Sequence, residues 1–252
     1  MSETISSNAL FHFTKSIDAL KSVLKTGFFP HYCPEYTLDP TDRAAASKGH
    51  HPLHAIPMVC FCDLPLSLIG KHLKEYGNFG IGLDKKWGIK DGVAPVIYTY
   101  SKAKTRPSVS RLAAEAPTAG DGQMLRDMRY LAAYSKPFQG PAWRNDRVQK
   151  QVRFYDEREW RYVPVAPWDG PLFLDWEQYS DIRRRRKLHS SLIQHNTLPI
   201  PPDAIQYLIL PFEKDEQNIL DLHEYITKLY PRRDAILVTT TIMTDTCIKE
   251  DV

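Results

Sequence analysis

Hydrophobic residues near the start of the chain follow first a strand pattern and then a helical pattern. Residues 10–14 read Leu-Phe-His-Phe-Thr, which predicts a short strand. Apolar residues then recur at helical spacing at Ile17, Leu20, Val23 and Leu24. We expect Ser16 to cap this helix, and we expect Gly27 to end it because glycine adopts a positive φ without strain.

The next part of the chain alternates between short apolar runs and segments without periodicity. Residues from about 34 to 57 contain proline, histidine and small residues and predict a long loop. Four segments then predict regular structure: a strand at 58–62, a helix at 66–76 that ends at Gly77, a strand at 79–83 and a strand at 93–100.

The second half predicts a mixture of helices and strands. Residues 102–122 are rich in small residues, proline and glycine, so we interpret residues 101–142 as an insertion or mobile cover that carries one helix. The remaining predicted elements are a strand at 151–165, a strand at 205–210, a helix at 215–230 and a strand at 235–242. The last three suggest a parallel crossover, and the whole pattern favours the α+β class.

Composition limits the classes of protein to which the chain belongs. The 33 Lys and Arg residues and 30 Asp and Glu residues give a net charge of +3, which is too small to identify a polyanion-binding protein. Four cysteines in 252 residues do not form a dense disulfide framework. The chain has neither a secretory signal pattern nor an apolar run near the ~20 residues of a spanning helix. We therefore expect a cytoplasmic protein with reduced thiols and no membrane association.

Several common types of site are disfavoured by their spacing. Cys60 and Cys62 lie near Cys33 and three histidines, His50, His51 and His54, all of which are donors that zinc accepts. Their spacing does not match a zinc knuckle, and a buried core strand explains the cysteine pair better, so we expect no metal. The nucleophile elbow of serine hydrolases and the phosphate-binding glycine loops are also absent from the sequence.

One basic cluster stands out, formed by Arg183, Arg184, Arg185, Arg186 and Lys187. These cations could neutralise several phosphates and bind nucleic acid without reading its sequence. They could equally form a solvated helix face that pairs with Asp175, Glu177 or Asp181. The sequence leaves both interpretations open.

The segment Phe154–Val163 places five charged residues in what reads as a buried strand. In an extended chain, Glu157, Glu159 and Arg161 share one face, with the two glutamates about 6.6 Å apart along the strand. Like charges at this separation repel each other, so they are either paired with cations or used in chemistry. His12 and Thr14 similarly share one face of the first predicted strand.

These segments resemble the AbiGi family of bacterial abortive-infection proteins. The resemblance rests on residues 10–27, 59–67, 76–83 and 154–164. The strand with His12 and Thr14, a helix that ends in glycine and a late strand with glutamate are also distantly similar to the ADP-ribosyltransferase superfamily, including the DarT-like enzymes that modify nucleic acid.

The superfamily resemblance implies one domain over residues 1–252, with a split β-sheet and a C-terminal strand-helix-strand at residues 200–252. It also implies NAD as substrate and no metal. His12 with Phe13 and Thr14 would bind the nicotinamide ribose, and Tyr76 or Phe79 would stack on the nicotinamide. Glu159 would stabilise the oxocarbenium-like ribose, while Glu157 would accept the proton of the attacking nucleophile. The resemblance to DarT-like enzymes makes nucleic acid the favoured acceptor.

A non-catalytic role remains as an alternative. The AbiGi resemblance implies an antitoxin that restrains a toxin, so a cognate toxin or antitoxin protein is an expected partner. In that case Glu157 and Glu159 would simply be ion-paired with Arg153, Arg158 or Arg161.

Overall fold

The computed structural model describes residues 7–37, 51–100, 102–115, 122–144, 147–165, 170–211 and 215–245. It confirms the α+β class, with a mixed sheet and several helices. Contacts divide the chain into two compact units: Met1–Phe28, Cys60–Ala94 and Leu198–Val252 form the first, and Phe29–Val59 and Pro95–Thr197 form the second. This division does not decide whether the units fold separately, so the expectation of one domain stays a prediction.

The strands and helices are numbered along the chain. The strands are β1 (Ala9–Thr14), β2 (His31–Tyr36), β3 (Leu53–Cys62), β4 (Phe79–Asp84), β5 (Ala94–Pro95), β6 (Ile97–Thr99), β7 (Ser135–Pro137), β8 (Gly140–Arg144), β9 (Arg147–Val152), β10 (Glu159–Tyr162), β11 (Leu174–Asp175), β12 (Ile205–Leu210) and β13 (Ile242–Thr244). The α-helices are α1 (Ile17–Thr26), α2 (Gly70–Tyr76), α3 (Lys85–Lys90), α4 (Thr105–Glu115), α5 (Gln123–Ala133), α6 (Trp176–Ser180), α7 (Ile182–His195), α8 (Asp215–Leu229) and α9 (Arg232–Thr239).

The first unit is built on β1, which pairs antiparallel with β4 and with the end of β3. On its other edge, β4 pairs antiparallel with β12, and β12 pairs parallel with β13. Phe11 and Ile209 are buried in the core on this sheet together with Leu73 of α2. Gly82 allows this packing, because a Cβ atom there would lie 2.7 Å from the Phe11 ring.

The ends of α1 confirm the sequence prediction. The Ser16 side chain accepts a hydrogen bond from the backbone N–H of Ala19 at 3.2 Å. Gly27 ends the helix at a φ of 76°, and a Cβ atom there would lie 2.4 Å from the carbonyl oxygen of Leu198. This position therefore requires glycine for two reasons: the positive φ, and the close approach to Leu198, which forms an isolated β-bridge with Phe28.

The second unit is built around the first part of β3, with which β2 and β11 pair antiparallel. Strands β8 and β9 form an antiparallel hairpin, and β6 pairs parallel with β7. Leu192 of α7 packs against Tyr32, Ala55 and Leu174 in a buried apolar cluster. This cluster fixes α7 on the strands that lie beneath it.

Two elements predicted before residue 101 differ from the structure. The loop expected at 34–57 contains parts of β2 and β3, although its residues 38–50 lie outside the described residues. The prolines caused this error. Pro34 lies on β2, which among the described strands pairs with β3 alone, and the free edge of such a strand tolerates a missing N–H. The strand expected at 93–100 is interrupted and forms the two short strands β5 and β6. The segment interpreted as an insertion contains α4, a helix that the pattern did not predict, and the insertion itself stays a prediction.

The long strand expected at 151–165 is also wrong. Strand β9 ends at Val152, Phe154–Glu157 forms a 3-10 turn, and Arg158 follows with a φ of 42° before β10 begins at Glu159. Residues 235–239 belong to α9 instead of a strand, because the buried Ala235 and Val238 are three residues apart, as on one helix face. A parallel strand does follow, at β13.

Candidate functional site

A buried ionic network occupies the second unit. It contains three carboxylates and three cations: Glu35 of β2, Lys136 of β7, Arg144 of β8, Glu157 of the 3-10 turn, and Glu159 and Arg161 of β10. Arg161 is 0% exposed and Glu159 is 5% exposed. Charges this deeply buried are tolerated only where they neutralise one another.

Arg161 links two of the carboxylates. Its Nε donates to Oε1 of Glu159 at 2.5 Å, and its Nη2 donates to both oxygens of Glu35 at 2.7 Å. The remaining Nη1 donates to the carbonyl oxygen of Ala133 at 2.7 Å. All three guanidinium nitrogens therefore donate hydrogen bonds, which compensates for complete burial.

Lys136 lies at the centre of the network. Its ammonium donates to Glu157 at 3.0 Å and to Glu159, and it lies 3.4 Å from Glu35. The same ammonium lies 4.7 Å from the centre of the Phe154 ring. Arg144 completes the network by donating to the second oxygen of Glu157.

These contacts determine the protonation of the network. Burial alone would raise the pKa of Glu159, but Arg161 and Lys136 hold it below its ordinary value. Burial opposes the charge of Lys136 too, yet Glu159, Glu157 and Glu35 raise its pKa well above the ordinary value. Burial and Glu159 would raise the pKa of Glu157, but Lys136 and Arg144 together hold it below its ordinary value. Glu157, Glu159 and the Lys136 ammonium are thus charged together.

The sequence identified one of these pairings and missed the rest. Glu159 and Arg161 do share a face of β10 and do pair. Arg153 pairs instead with Asp156, and Arg158 lies over the Tyr155 ring. The other partners, Glu35, Lys136 and Arg144, lie on β2, β7 and β8. No local sequence pattern marks them, because only tertiary folding brings their side chains to Glu157 and Glu159.

The predicted ribose-binding residues lie in the first unit. Nδ1 of His12 is 2.8 Å from the carbonyl oxygen of Cys60, and its ring packs against Phe28 and Phe61. The Thr14 hydroxyl donates to the carbonyl oxygen of Ser16 at 3.2 Å. His12 therefore has the surroundings of a hydrogen-bonded, partly buried strand histidine.

The predicted stacking residues, Tyr76 and Phe79, lie beside β1 in the first unit. Phe13 points away from His12, and its ring lies 6.1 Å from that of His72 on α2. The Tyr76 ring lies 5.6 Å from the same His72 ring, while Phe79 is opposite Thr14 in the strand register. Tyr76 thus lies on a helix that packs against the face of Phe13.

A partly exposed group of rings lies close to the network within the second unit. It comprises Tyr98, Tyr100, Phe138 and Tyr155, with Arg153 and Arg158 beside them, and we call it the aromatic patch. The Phe138 and Tyr155 rings stack at 4.9 Å. Tyr100 is 45% exposed and Tyr155 is 41% exposed, so two rings of the patch face solvent.

The predicted basic cluster forms the first turns of α7. Asp181 caps this helix by accepting from the backbone N–H groups of Arg183 and Arg184. Arg185 lies 4.7 Å from the centre of the Tyr179 ring, while the other four cations are exposed. Among the described residues, no ion pair joins the cluster to Asp175, Glu177 or Asp181.

Two structural features are absent from the described ranges. No group of three or more histidine, cysteine, aspartate or glutamate side chains there is arranged to hold a metal ion. None of the described helices is long and apolar enough to cross a membrane. His50, one of the zinc donors considered from sequence, lies outside the described residues.

Comparison with known proteins relates this chain to a family. Residues 26–211 match the family model described as abortive phage resistance protein AbiGi, antitoxin. The chain belongs to the AbiGi family. The abortive phage resistance protein AbiGi of Lactococcus lactis subsp. cremoris is 33% identical over an alignment of 171 residues. The match covers 60% of this chain and 67% of that protein. No solved structure matches the chain.

The extent of the AbiGi match separates the candidate residues into two groups. All six residues of the ionic network, the aromatic patch and the basic cluster fall within residues 26–211. His12, Phe13 and Thr14 precede the matched residues, and they also belong to the other compact unit. The AbiGi match therefore includes Glu157 and Glu159 but does not extend to their predicted histidine partner.

Proposed function

We propose that this AbiGi-family protein acts in abortive phage resistance as a non-catalytic, antitoxin-like protein that binds a cognate toxin. The observation that carries the proposal is the neutralisation of Glu157 and Glu159 within the buried ionic network. The family description as an antitoxin supports the same role. In this reading the network is a structural support and the aromatic patch is the docking surface.

The hydrogen bonds of the network favour a structural role over catalysis of glycosyl transfer. A catalytic carboxylate would stabilise a cationic ribose, but each oxygen of Glu159 already accepts a hydrogen bond from a cation. A ribose hydroxyl that bound there would have to share the carboxylate with Lys136 or Arg161. The Glu159 residue is also only 5% exposed, which restricts its contact with a substrate.

The network instead holds the aromatic patch in place. The Glu159 backbone N–H donates to the Tyr98 hydroxyl at 2.9 Å, and the Tyr155 N–H donates to the carbonyl oxygen of Phe138 at 3.2 Å. Phe138 in turn donates its N–H to the carbonyl oxygen of Thr99 at 2.8 Å. A rigid surface loses little conformational entropy when it binds a partner.

The composition of the patch suits a protein partner. Tyrosine and arginine are enriched among the residues that dominate binding energy at protein interfaces. Arg158 adopts a φ of 42°, an uncommon angle for a residue with a side chain, and lies over the Tyr155 ring. The patch therefore offers two exposed rings flanked by guanidinium groups to the toxin.

The test combines growth rescue with a binding measurement. Reading frames next to the gene are expressed singly to find one that arrests growth, and the protein is then expressed with it. We expect rescue by the wild-type protein, and at least a tenfold rise in Kd for Tyr155→Ala, equivalent to about 1.4 kcal/mol. Ile236→Ala, an exposed apolar residue of α9, serves as the matched control and should leave Kd unchanged. Unchanged affinity in both Tyr155→Ala and Tyr100→Ala would overturn the docking proposal.

A second candidate is transfer of ADP-ribose from NAD to a macromolecule, with nucleic acid as the favoured acceptor. Its support is the chain order of His12 and Thr14 on β1 followed by Glu157 and Glu159. It requires an ADP-ribosyltransferase-like split sheet in which His12 and Glu159 serve one NAD molecule. Labelled NAD incubated with RNA, DNA and protein tests it, using Glu159→Gln to retain side-chain volume. Label transfer equal in wild type and Glu159→Gln, for every acceptor, would end the catalytic proposal.

A further inference from the structure

Helix α7 has one face anchored in the second unit and one face open to solvent. Leu188 and Leu192 pack on the apolar cluster, and Nε2 of His189 accepts the Tyr32 backbone N–H at 3.2 Å. Residues on the opposite side follow helical spacing and are exposed: Arg183, Lys187, Ser190 and Gln194. We call these four residues, with the flanking Arg184 and Arg186, the basic face.

The basic face is electrostatically unbalanced. The sequence of α7 contains no aspartate or glutamate between Ile182 and His195. Asp181 precedes it, but its Oδ1 accepts the N–H groups of Arg183 and Arg184 as the helix cap. Positive side chains near a helix N-terminus oppose the helix dipole by roughly 0.3–1 kcal/mol each. This arrangement disfavours the isolated helix and favours an anion at its surface.

The dimensions and surroundings of α7 favour duplex DNA over other nucleic acids. The 14 residues of α7 extend about 21 Å, and the major groove of B-form DNA, about 12 Å wide, admits a helix of this kind. Single-stranded nucleic acid needs open aromatic rings for stacking, but the nearby Tyr179 ring is covered by Arg185. The major groove of duplex RNA is too narrow for side chains to enter.

We propose that the basic face of α7 binds duplex DNA, with arginine and lysine on phosphates and with Ser190 and Gln194 toward the groove. The net charge of the whole chain is only +3, so the attraction comes from this local cluster. The site is separate from the toxin-docking role of the aromatic patch. A DNA-binding antitoxin-like protein would therefore carry two distinct binding surfaces.

The experiment measures binding of a fluorescent DNA duplex by anisotropy over a range of salt concentrations. The test variant is Arg183→Gln with Lys187→Gln, and the control is Lys71→Gln with Lys74→Gln on the exposed side of α2, which removes the same charge. Each lost phosphate contact reduces the salt slope by about 0.9, so the test variant should lose about 1.8 and the control almost nothing. We also expect at least a tenfold loss of affinity in the test variant only.

Each other outcome contradicts the proposal. Equal slopes and affinities in the two double variants would exclude the basic face as the DNA site. Equally tight binding of a single strand or of duplex RNA would exclude the duplex DNA preference, and equal competition by polyglutamate would indicate a site for acidic protein. Tyr155→Ala should leave DNA binding intact, so failure of this proposal is distinguishable from failure of the docking proposal.

Discussion

Replacement of Lys136 with methionine tests the ionic network directly, because its ammonium contacts all three carboxylates. The substitution changes three cations against three carboxylates into two against three, which leaves an uncompensated charge of about −1. Methionine has a similar volume but donates no hydrogen bond. Removal of one partner from a buried ion pair costs about 3–5 kcal/mol of stability.

The variant can recover part of this cost by binding a proton. A pH of about 7 lies about 2.5 units above 4.5, the ordinary pKa of the carboxyl group, so keeping that group protonated costs about 3.4 kcal/mol. At about pH 5.5 the same protonation costs about 1.4 kcal/mol. We therefore expect Lys136→Met to destabilise the protein by about 3 kcal/mol at pH 7. At pH 5.5 the destabilisation should be smaller by about 2 kcal/mol.

The wild-type network does not share this pH dependence. The pKa of Glu159 is lowered from 4.5, so its stabilisation is complete above that value and is lost only as pH falls toward the folded pKa. The pKa of Lys136 is raised from 10.5, so its stabilisation is complete below that value and is lost as pH rises through the folded pKa. Wild-type stability from these two groups should therefore be nearly constant between the two test pH values.

Urea unfolding followed by far-ultraviolet circular dichroism measures the difference at both pH values. Lys228→Met is the matched control, because Lys228 pairs with Glu224 on an exposed helix surface and its loss should change stability by no more than about 0.5 kcal/mol. Adding Glu157→Gln to Lys136→Met restores neutrality and should recover part of the loss. Equal costs for Lys136→Met and Lys228→Met, or a cost that does not fall at the lower pH, would refute the reasoning.

Three further predictions concern single positions. Gly27→Ala should destabilise the protein by more than the roughly 1 kcal/mol of a positive-φ alanine, because its Cβ meets Leu198, whereas Gly92→Ala, at a φ of 84° with open space, should cost only that strain. Equal thermal shifts for the two would be contrary evidence. Burial, with His31 and Arg185 in support, lowers the pKa of His189 to about 4, so stability present above pH 6.5 is lost as pH falls toward 4. His189→Gln should flatten that acid slope, and an unchanged slope would remove His189 as its source. Burial raises the pKa of the Cys33 thiol to about 12, so alkylation at pH 8, mapped by mass spectrometry, should be much slower in the folded than in the unfolded protein; equal rates would contradict this.

Local sequence signals predicted the elements that are stabilised within themselves. The capped helix α1, the strand β4 and the strand and helix at β12 and α8 all lie where periodicity and terminal residues placed them. The prediction failed where packing decides between helix and strand. The apolar run of α9 is short, so only the burial of Ala235 and Val238 reveals its helical face.

The candidate site shows the same division. From the sequence alone, the two glutamates of residues 154–163 required either partners or chemistry, and Arg161 was one predicted partner. Only the tertiary structure brings Lys136 and Glu35 to them, because these residues lie on β7 and β2, which are separate from β10 along the chain. The sequence determined that charge is buried here, whereas the fold decided that it is neutralised, since the range of an ion pair is a few ångströms in space and unrelated to separation along the chain.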